Sequence, residues 1–196
     1  MALRKDLQLI YDWIAPESKV LDLGCGDGAL LMDLVQHKKC RGYGVDIDTQ
    51  NVIHTMERGI NVIQADLERG LQAFSDNSFD IVILSQTIQT MKNTESILKD
   101  MMRVGQEAIV TFPNFGYWRN RLQLGLFGHM PVSEDMPYQW YDTPNVHWCT
   151  LQDFDRLCHA NHIKIITRTV MSQGRSIQFF PNLLGSLAVY RVGRKE

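Results

Sequence analysis

The chain has 196 residues, of which 44% are hydrophobic and 21% are charged, and its formal net charge is −2. These values fit one globular domain, and the low net charge gives no electrostatic reason to expect nucleic acid or an anionic membrane as a partner. No apolar run reaches the roughly 18 residues of a membrane-spanning helix, and the N-terminal stretch lacks the uninterrupted apolar core of a secretory signal. We therefore expect a cytoplasmic protein with a single domain over residues 1–196.

The first predicted elements are an amphipathic helix, a buried strand and a glycine turn. Leu3, Leu7 and Ile10 recur at helical spacing, and this helix is expected to end before Pro16. We expect the helix to lie over the edge of the sheet or over the mouth of a ligand site. Residues 19–31, KVLDLGCGDGALL, then read as a strand, a turn and the start of a helix. Glycine suits such a turn because it admits positive φ and lets a ligand approach the backbone closely.

The glycine turn fits two classes of cofactor. Its spacing satisfies the dinucleotide pattern G-x-G-x-x-G/A, which would indicate a nicotinamide-dependent oxidoreductase. The longer string Asp22-x-Gly24-x-Gly26-x-Gly28 resembles motif I of the class I S-adenosylmethionine-dependent methyltransferases. The resemblance implies that Asp22, Gly24, Cys25 and Gly26 face the amino-acid end of S-adenosylmethionine or S-adenosylhomocysteine. A carboxylate at Asp22 would repel a pyrophosphate but tolerates an ammonium and a sulfonium, so the oxidoreductase is the more distant alternative.

Acidic residues also follow the next two predicted strands. The second strand, 40–46, ends at Asp46, where an acid can accept hydrogen bonds from both ribose hydroxyls. A turn or helix-capping aspartate is the alternative, since Asp48 opens the next helix. The third strand, 61–65, precedes Asp66 and Leu67, which the resemblance places at the adenine, although a loop aspartate is equally compatible with the spacing. The same resemblance assigns cofactor contacts to Ile47 and Ser85.

The rest of the chain alternates strands with helices. Predicted strands cover 79–84, 107–112, 163–171 and 187–192, the last two as an antiparallel pair, and predicted helices cover 94–103 and 151–160. Thr150 and Asp153 have the spacing of a capping box. The alternation predicts an α/β fold with helices on both faces of a mostly parallel sheet. The resemblance implies a Rossmann-like class I methyltransferase fold with seven strands, one of them antiparallel.

Residues 113–150 interrupt this pattern with an irregular insert rich in aromatic residues. Three roles stay open for its aromatic side chains, namely a lid over the cofactor, an acceptor pocket and a partner surface. These side chains are Trp118, Tyr138, Trp140, Tyr141 and Trp148.

The segments PNFGYWRNRLQL and PYQWYDTPNVHWCT of this insert, with the following Asp153-Phe154 pair, resemble the MetW family of methionine-biosynthesis proteins. This resemblance implies an S-adenosylmethionine-binding partner that activates or regulates a homoserine O-acyltransferase, MetX. Whether that enzyme transfers acetyl or succinyl groups stays open.

No catalytic residue is assigned from the sequence. Ser85-Gln86-Thr87 follows the fourth strand in place of the Asn-Pro-Pro-Tyr signature of amino methylation, so a methyltransferase acting on an unidentified small molecule is the alternative function. Tyr117, Glu134 and His147 are candidate bases, although a packed or surface role is the more ordinary interpretation of each. The 4 cysteines lack C-x-x-C spacing, and the nearby histidines complete no usual ligand pattern, so we predict no metal site.

Overall fold

The structure is a computed structural model that describes residues 3–195. Its strands are β1 (Lys19–Leu23), β2 (Arg41–Asp46), β3 (Asn61–Gln64), β4 (Phe79–Ser85), β5 (Gly105–Pro113), β6 (Ile163–Ser172), β7 (Arg175–Ser176) and β8 (Leu187–Arg194). Its α-helices are α1 (Lys5–Trp13), α2 (Ala29–Lys38), α3 (Thr49–Glu57), α4 (Thr94–Val104), α5 (Trp118–Phe127), α6 (Leu151–Ala160) and α7 (Pro181–Leu184). Among these described residues, none of the helices combines the length and the hydropathy needed to cross a bilayer.

The strands form one 8-stranded sheet in the order β3-β2-β1-β4-β5-β8-β6-β7. Strands β1 to β5 are parallel to one another, whereas β8 pairs antiparallel with both β5 and β6. The Rossmann-like α/β architecture and the closing antiparallel pair are therefore confirmed. Because β1, β2, β3 and β4 run in the same direction, the residues that follow them meet at one edge of the sheet.

The predicted count of seven strands with one antiparallel member is wrong. Strand β7 is an additional strand that pairs antiparallel with β6 through Ser172 and Arg175. Gln173 and Gly174 connect the two strands with φ values of 49° and 68°. Two successive positive φ angles are typical of the tight turn of a β-hairpin. The hairpin escaped prediction because β7 is too short to show an alternating pattern.

Two hydrophobic cores cover the two faces of the sheet. Successive strand residues alternate between them, so that Leu21 belongs to one core and Val20 to the other. Helices α4 and α6 close the first core, while α1 and α2 close the second. The capping box predicted at α6 is confirmed, because the Thr150 side chain accepts from the Asp153 backbone and the Asp153 side chain accepts from the Thr150 backbone.

The insert contains a helix, α5, so the expectation of an irregular segment is wrong for this part. The helix buries only one residue, Asn120, whose side-chain amide donates to the Asn114 carbonyl at 3.2 Å. Leu122, Leu126 and Phe127 lie exposed on its surface. Because these apolar residues do not form one stripe that faces a core, the sequence shows no amphipathic pattern at this helix.

Candidate functional site

The glycine turn joins β1 to α2 at the edge of the sheet where the parallel strands end. Gly24, Gly26 and Gly28 have φ values of 71°, 56° and 72°. A Cβ at Gly24 would lie 2.6 Å from the Thr87 hydroxyl, and one at Gly28 would lie 2.9 Å from Thr55. A Cβ at Gly26 would meet no protein atom within 4 Å. Packing therefore requires glycine at the first and third positions, whereas Gly26 presents bare backbone to open space.

Asp46 links the end of β2 to this turn. Its carboxylate accepts hydrogen bonds from the Gly26 N–H at 2.8 Å, from the Asp48 N–H at 2.9 Å and from the Asn51 side-chain amide at 3.3 Å. The residue is only 7% exposed. A carboxylate offers about four acceptor positions, so about one stays free for a ligand. Asp46 thus positions the turn as well as lining the cavity.

Asp22 is the second acid at this edge and has fewer partners. The residue is 4% exposed, and its Oδ1 atom has no hydrogen-bond partner among the described residues. Burial, followed by repulsion from the Asp46 carboxylate, raises the pKa of Asp22 to about 7. A buried acid without a partner is unfavourable unless a cation or a donor reaches it. The site is therefore suited to a positively charged group.

The remaining predicted cofactor contacts are Asp66, Leu67, Ile47 and Ser85. The Asp66 carboxylate accepts from the Glu68 N–H at 3.0 Å and so caps the 3-10 turn that contains Leu67. Ile47 follows β2 and is 65% exposed. The Ser85 hydroxyl, at the end of β4, lies 3.2 Å from the Thr111 hydroxyl. Asp66 thus caps a turn in the loop after β3, in keeping with the loop aspartate that the sequence left open, and it also lies at the cavity.

A cavity of about 810 Å³ brings the predicted residues together. Its lining includes every predicted contact: Asp22, Gly24, Cys25, Gly26, Asp46, Ile47, Asp66, Leu67 and Ser85. Further lining residues were not predicted from the sequence, among them Leu3, Arg4, Leu7, Gln86, Thr87, Thr90 and Met91. The periodicity of the N-terminal helix was the available signal for Leu3 and Leu7, and the position of Ser85-Gln86-Thr87 after the fourth strand was the signal for Gln86 and Thr87. No sequence signal marked Arg4, Thr90 or Met91.

Gln86 ties the N-terminal helix to the cavity. Its φ is 49°, and its backbone N–H donates to the Thr111 carbonyl at 3.0 Å. The side-chain amide of Gln86 donates to the buried Asp6 carboxylate at 2.9 Å. The same carboxylate accepts a hydrogen bond from the Arg4 guanidinium at 3.1 Å. These contacts hold the start of α1 beside the end of β4. The helix thus lies at the mouth of the cavity, one of the two positions expected for it.

The candidate bases lie elsewhere in the described structure. Tyr117 is buried ahead of α5, Glu134 lines a second cavity, and His147 places Nε2 3.2 Å from the Lys92 carbonyl. None of them is among the described residues that line the first cavity. Burial, followed by the charges of Asp22 and Asp46, raises the pKa of the Cys25 thiol to about 12. Cys25 is therefore a neutral thiol near pH 7, with little nucleophilic character.

Metal ligands do not assemble in the described part of the chain. Within residues 3–195, no group of three or more His, Cys, Asp or Glu side chains is arranged to hold a metal ion. The cysteines Cys25, Cys40, Cys149 and Cys158 are all free.

The raised pKa of Asp22 predicts a stability that depends on pH. Folding disfavours the ionised carboxyl, so the free energy of unfolding falls as pH rises from the ordinary pKa near 4 to about 7. Asp22→Asn is expected to raise the free energy of unfolding by a few kcal/mol at pH 8, since one pKa unit corresponds to about 1.4 kcal/mol. Below pH 4 the two proteins should be nearly equal.

Urea titrations at pH 4, 6 and 8 measure this difference, with the exposed acid Asp12 changed to Asn as the control. A stabilisation by Asp22→Asn that is the same at all three pH values would contradict the assignment. A destabilisation at pH 8 would contradict it as well.

Comparison with known proteins gives the family and the fold. A model of the family "Methionine biosynthesis protein MetW" matches residues 4–192. The bifunctional methionine biosynthesis protein MetXA/MetW of Rhodopirellula baltica is 35% identical over 209 residues, which cover 100% of this chain and 34% of that protein. The chain thus spans about a third of the length of this relative.

Solved structures share the fold at low sequence identity. A methyltransferase of Thermotoga maritima, described as S-adenosylmethionine-dependent and as a possible histamine N-methyltransferase, superposes with a TM-score of 0.69 at 19% identity, covering 97% of this chain and 88% of that one. A putative S-adenosylmethionine-dependent methyltransferase of Listeria monocytogenes superposes with a TM-score of 0.72 at 12% identity, covering 98% and 99%. At these identities the likeness concerns the fold alone.

Proposed function

Because this chain belongs to the MetW family of methionine biosynthesis proteins, we propose that it binds S-adenosylmethionine or S-adenosylhomocysteine and regulates a homoserine O-acyltransferase with which it associates in the cytoplasm. The main observation that supports binding of an adenosyl ligand is that two buried acids lie beside a glycine backbone that has no side chain in the way. Asp22 has an unpartnered oxygen at the cavity, Asp46 is fixed against the turn, and Gly26 faces open space.

Five residues of the cavity have a chemical role in this proposal. Asp22 would receive the ammonium at the amino-acid end of the ligand, and the remaining acceptor position of Asp46 would take a ribose hydroxyl. Ile47 and Leu67 supply apolar surface for the adenine, while Asp66 can accept from its exocyclic amine. When bound, S-adenosylmethionine supplies an activated methyl group. The chain itself supplies orientation and charge.

Calorimetric titration of the wild-type chain tests this assignment. S-adenosylhomocysteine should bind, whereas NADH should give no heat, because Asp22 disfavours a pyrophosphate. Asp46→Ala should weaken binding by about 10- to 100-fold, since a hydrogen bond to a charged group contributes roughly 1.5–3 kcal/mol. Asp48→Ala is the matched control, because Asp48 caps α3 next to the site without lining the cavity. Binding of NADH without binding of the adenosyl ligand would refute the proposal.

The name of the Rhodopirellula relative supports the proposed partner, since it joins MetXA and MetW in one bifunctional protein. Two modules joined in one chain meet at high effective concentration. We infer that this chain achieves the same proximity by binding a homoserine O-acyltransferase. Whether the partner transfers acetyl or succinyl groups does not affect this inference.

The aromatic insert offers the surface for that association. Phe127 is 66% exposed, Trp140 is 70% exposed, and Tyr141 is equally accessible. Large exposed aromatic residues are typical of protein interaction sites. The predicted lid would need contact with the ligand cavity, and Trp140 and Tyr141 are not among its described lining residues. We therefore favour the partner surface over the lid or the acceptor pocket.

Methyl transfer to a small molecule is the second candidate function. The cavity volume of about 810 Å³ favours it, because this volume lies in the upper part of the range for small-molecule sites. Methyl transfer depends mostly on alignment, so it does not require a base at the cavity. Release of S-adenosylhomocysteine from S-adenosylmethionine in the presence of candidate acceptors would distinguish this function from a purely regulatory one.

A further inference from the structure

A second cavity lies next to the proposed adenosyl site. Its volume is about 430 Å³, and it shares Arg4 and Gln86 with the first cavity. Met171 and Leu187 also line it and are buried, with 8% and 7% exposure. This volume lies in the range of small-molecule sites, and most of the lining side chains are polar or charged.

Charged side chains of both signs line this second cavity. Lys5 comes from α1, and Glu134 and Asp135 come from the insert. Within the described residues, none of the three takes part in a salt bridge of 4.0 Å or less. Burial raises the pKa of Asp135, although the Ser186 hydroxyl acts in the opposite direction. A partly buried acid without a salt bridge is unfavourable, and a cationic group on a ligand would relieve this cost.

The wall between the two cavities is held in place by hydrogen bonds. Arg4 donates to the buried Asp6 carboxylate through Nε at 3.2 Å and through Nη2 at 3.1 Å. Gln86 donates to the same carboxylate at 2.9 Å. Arg4 and Lys5 both line the second cavity. A ligand would meet the positive groups of Arg4 and Lys5 and the negative groups of the insert, while the Asp6 carboxylate, which also lines the cavity, is engaged by Arg4 and Gln86.

We propose that this second cavity binds the zwitterion of a small α-amino acid. Lys5, with Arg4 beside it, receives the carboxylate, and Glu134 and Asp135 receive the ammonium. Met171 contributes apolar surface for the ligand side chain. A purely anionic ligand would face the two acids of the insert, and a purely cationic ligand would face Lys5 and Arg4. The proposal goes beyond adenosyl binding and places an amino-acid site against the same wall.

Calorimetric titration with L-methionine and L-homoserine tests the site. The protein is first saturated with S-adenosylhomocysteine, so that the first cavity does not take up the probe. We expect at least one probe to bind, and expect the double variant Glu134→Gln/Asp135→Asn to lower its affinity at least tenfold, or about 1.4 kcal/mol. N-acetyl-L-methionine and L-methionine methyl ester should also bind at least tenfold more weakly than L-methionine if that probe binds. Asp142→Asn is the matched control, because Asp142 is an exposed acid of the insert that lines neither cavity.

Two results would overturn the amino-acid site. One is the absence of binding by both probes, and the other is an affinity that the double variant leaves unchanged. The initial titration with S-adenosylhomocysteine is evaluated separately from the titration with the amino acids. A failure of adenosyl binding is thereby distinguished from a failure of the amino-acid site. In that case the probes are titrated in buffer alone, where the ratio of wild-type to double-variant affinity still decides between the two outcomes.

Discussion

Replacing Gly26 by valine is expected to eliminate adenosyl binding, with a loss of affinity of at least a hundredfold, or about 2.7 kcal/mol. Gly26 has a φ of 56°, and a side chain there would project into open space instead of against protein atoms. The added methyl groups would therefore occupy the face that the ligand needs. Backbone strain at this φ would disturb the hydrogen bond from the Gly26 N–H to Asp46, which measures 2.8 Å.

The control for this prediction is Gly59→Val. Gly59 has a φ of 76°, its Cβ would also meet no atom within 4 Å, and it lies outside the first cavity. The two variants therefore introduce a similar backbone strain, but only one of them blocks the cavity. Calorimetry with S-adenosylhomocysteine should show binding to Gly59→Val and no binding to Gly26→Val. Equal loss of affinity in both variants would mean that strain, and not obstruction of the cavity, explains the effect.

The double variant Phe127→Ser/Trp140→Ala is expected to eliminate co-elution with homoserine O-acyltransferase. Each side chain is about two-thirds exposed or more, and aromatic anchors at interfaces contribute about 2 kcal/mol or more on truncation. The combined loss should exceed a hundredfold in affinity. Adenosyl affinity should stay within tenfold of the wild-type value, because neither residue lines the first cavity in the described structure.

Size-exclusion chromatography of the mixed proteins measures this association. Met56→Ser on α3 is the control, since Met56 is 61% exposed but lies outside the insert. Intact co-elution together with lost adenosyl binding would reverse the assignment and make the insert a lid. If the wild-type proteins do not co-elute at micromolar concentration, the proposed association itself is wrong.

The sequence predicted the fold and the first cavity because both depend on local patterns. Parallel strands end at one edge of the sheet, so acids at or near the ends of neighbouring strands, such as Asp22 and Asp46, are brought together by topology alone. The glycine spacing and the capping box at Thr150 are likewise local. These features required no knowledge of which distant side chains meet.

The features that escaped prediction depend on distant contacts or on weak local signals. Gln86 bonds to Asp6, 80 residues away in the chain, and no periodicity indicates that contact. Helix α5 leaves Leu126 and Phe127 exposed, so its pattern does not resemble a helix that packs on a core. The second cavity combines residues of α1, β6 and the insert, which only the folded chain brings together.

The rate of acyl transfer by homoserine O-acyltransferase tests the central claim most directly. The enzyme is assayed alone, with an equimolar amount of this chain, and with the chain plus S-adenosylmethionine. We predict that the wild-type chain raises the rate of acyl transfer and that added S-adenosylmethionine changes this rate further. With Gly26→Val, S-adenosylmethionine should cause no further change, because a ligand shifts an equilibrium only when it binds the two states with different affinity. An unchanged rate, at concentrations where the chain binds S-adenosylhomocysteine, would contradict the account.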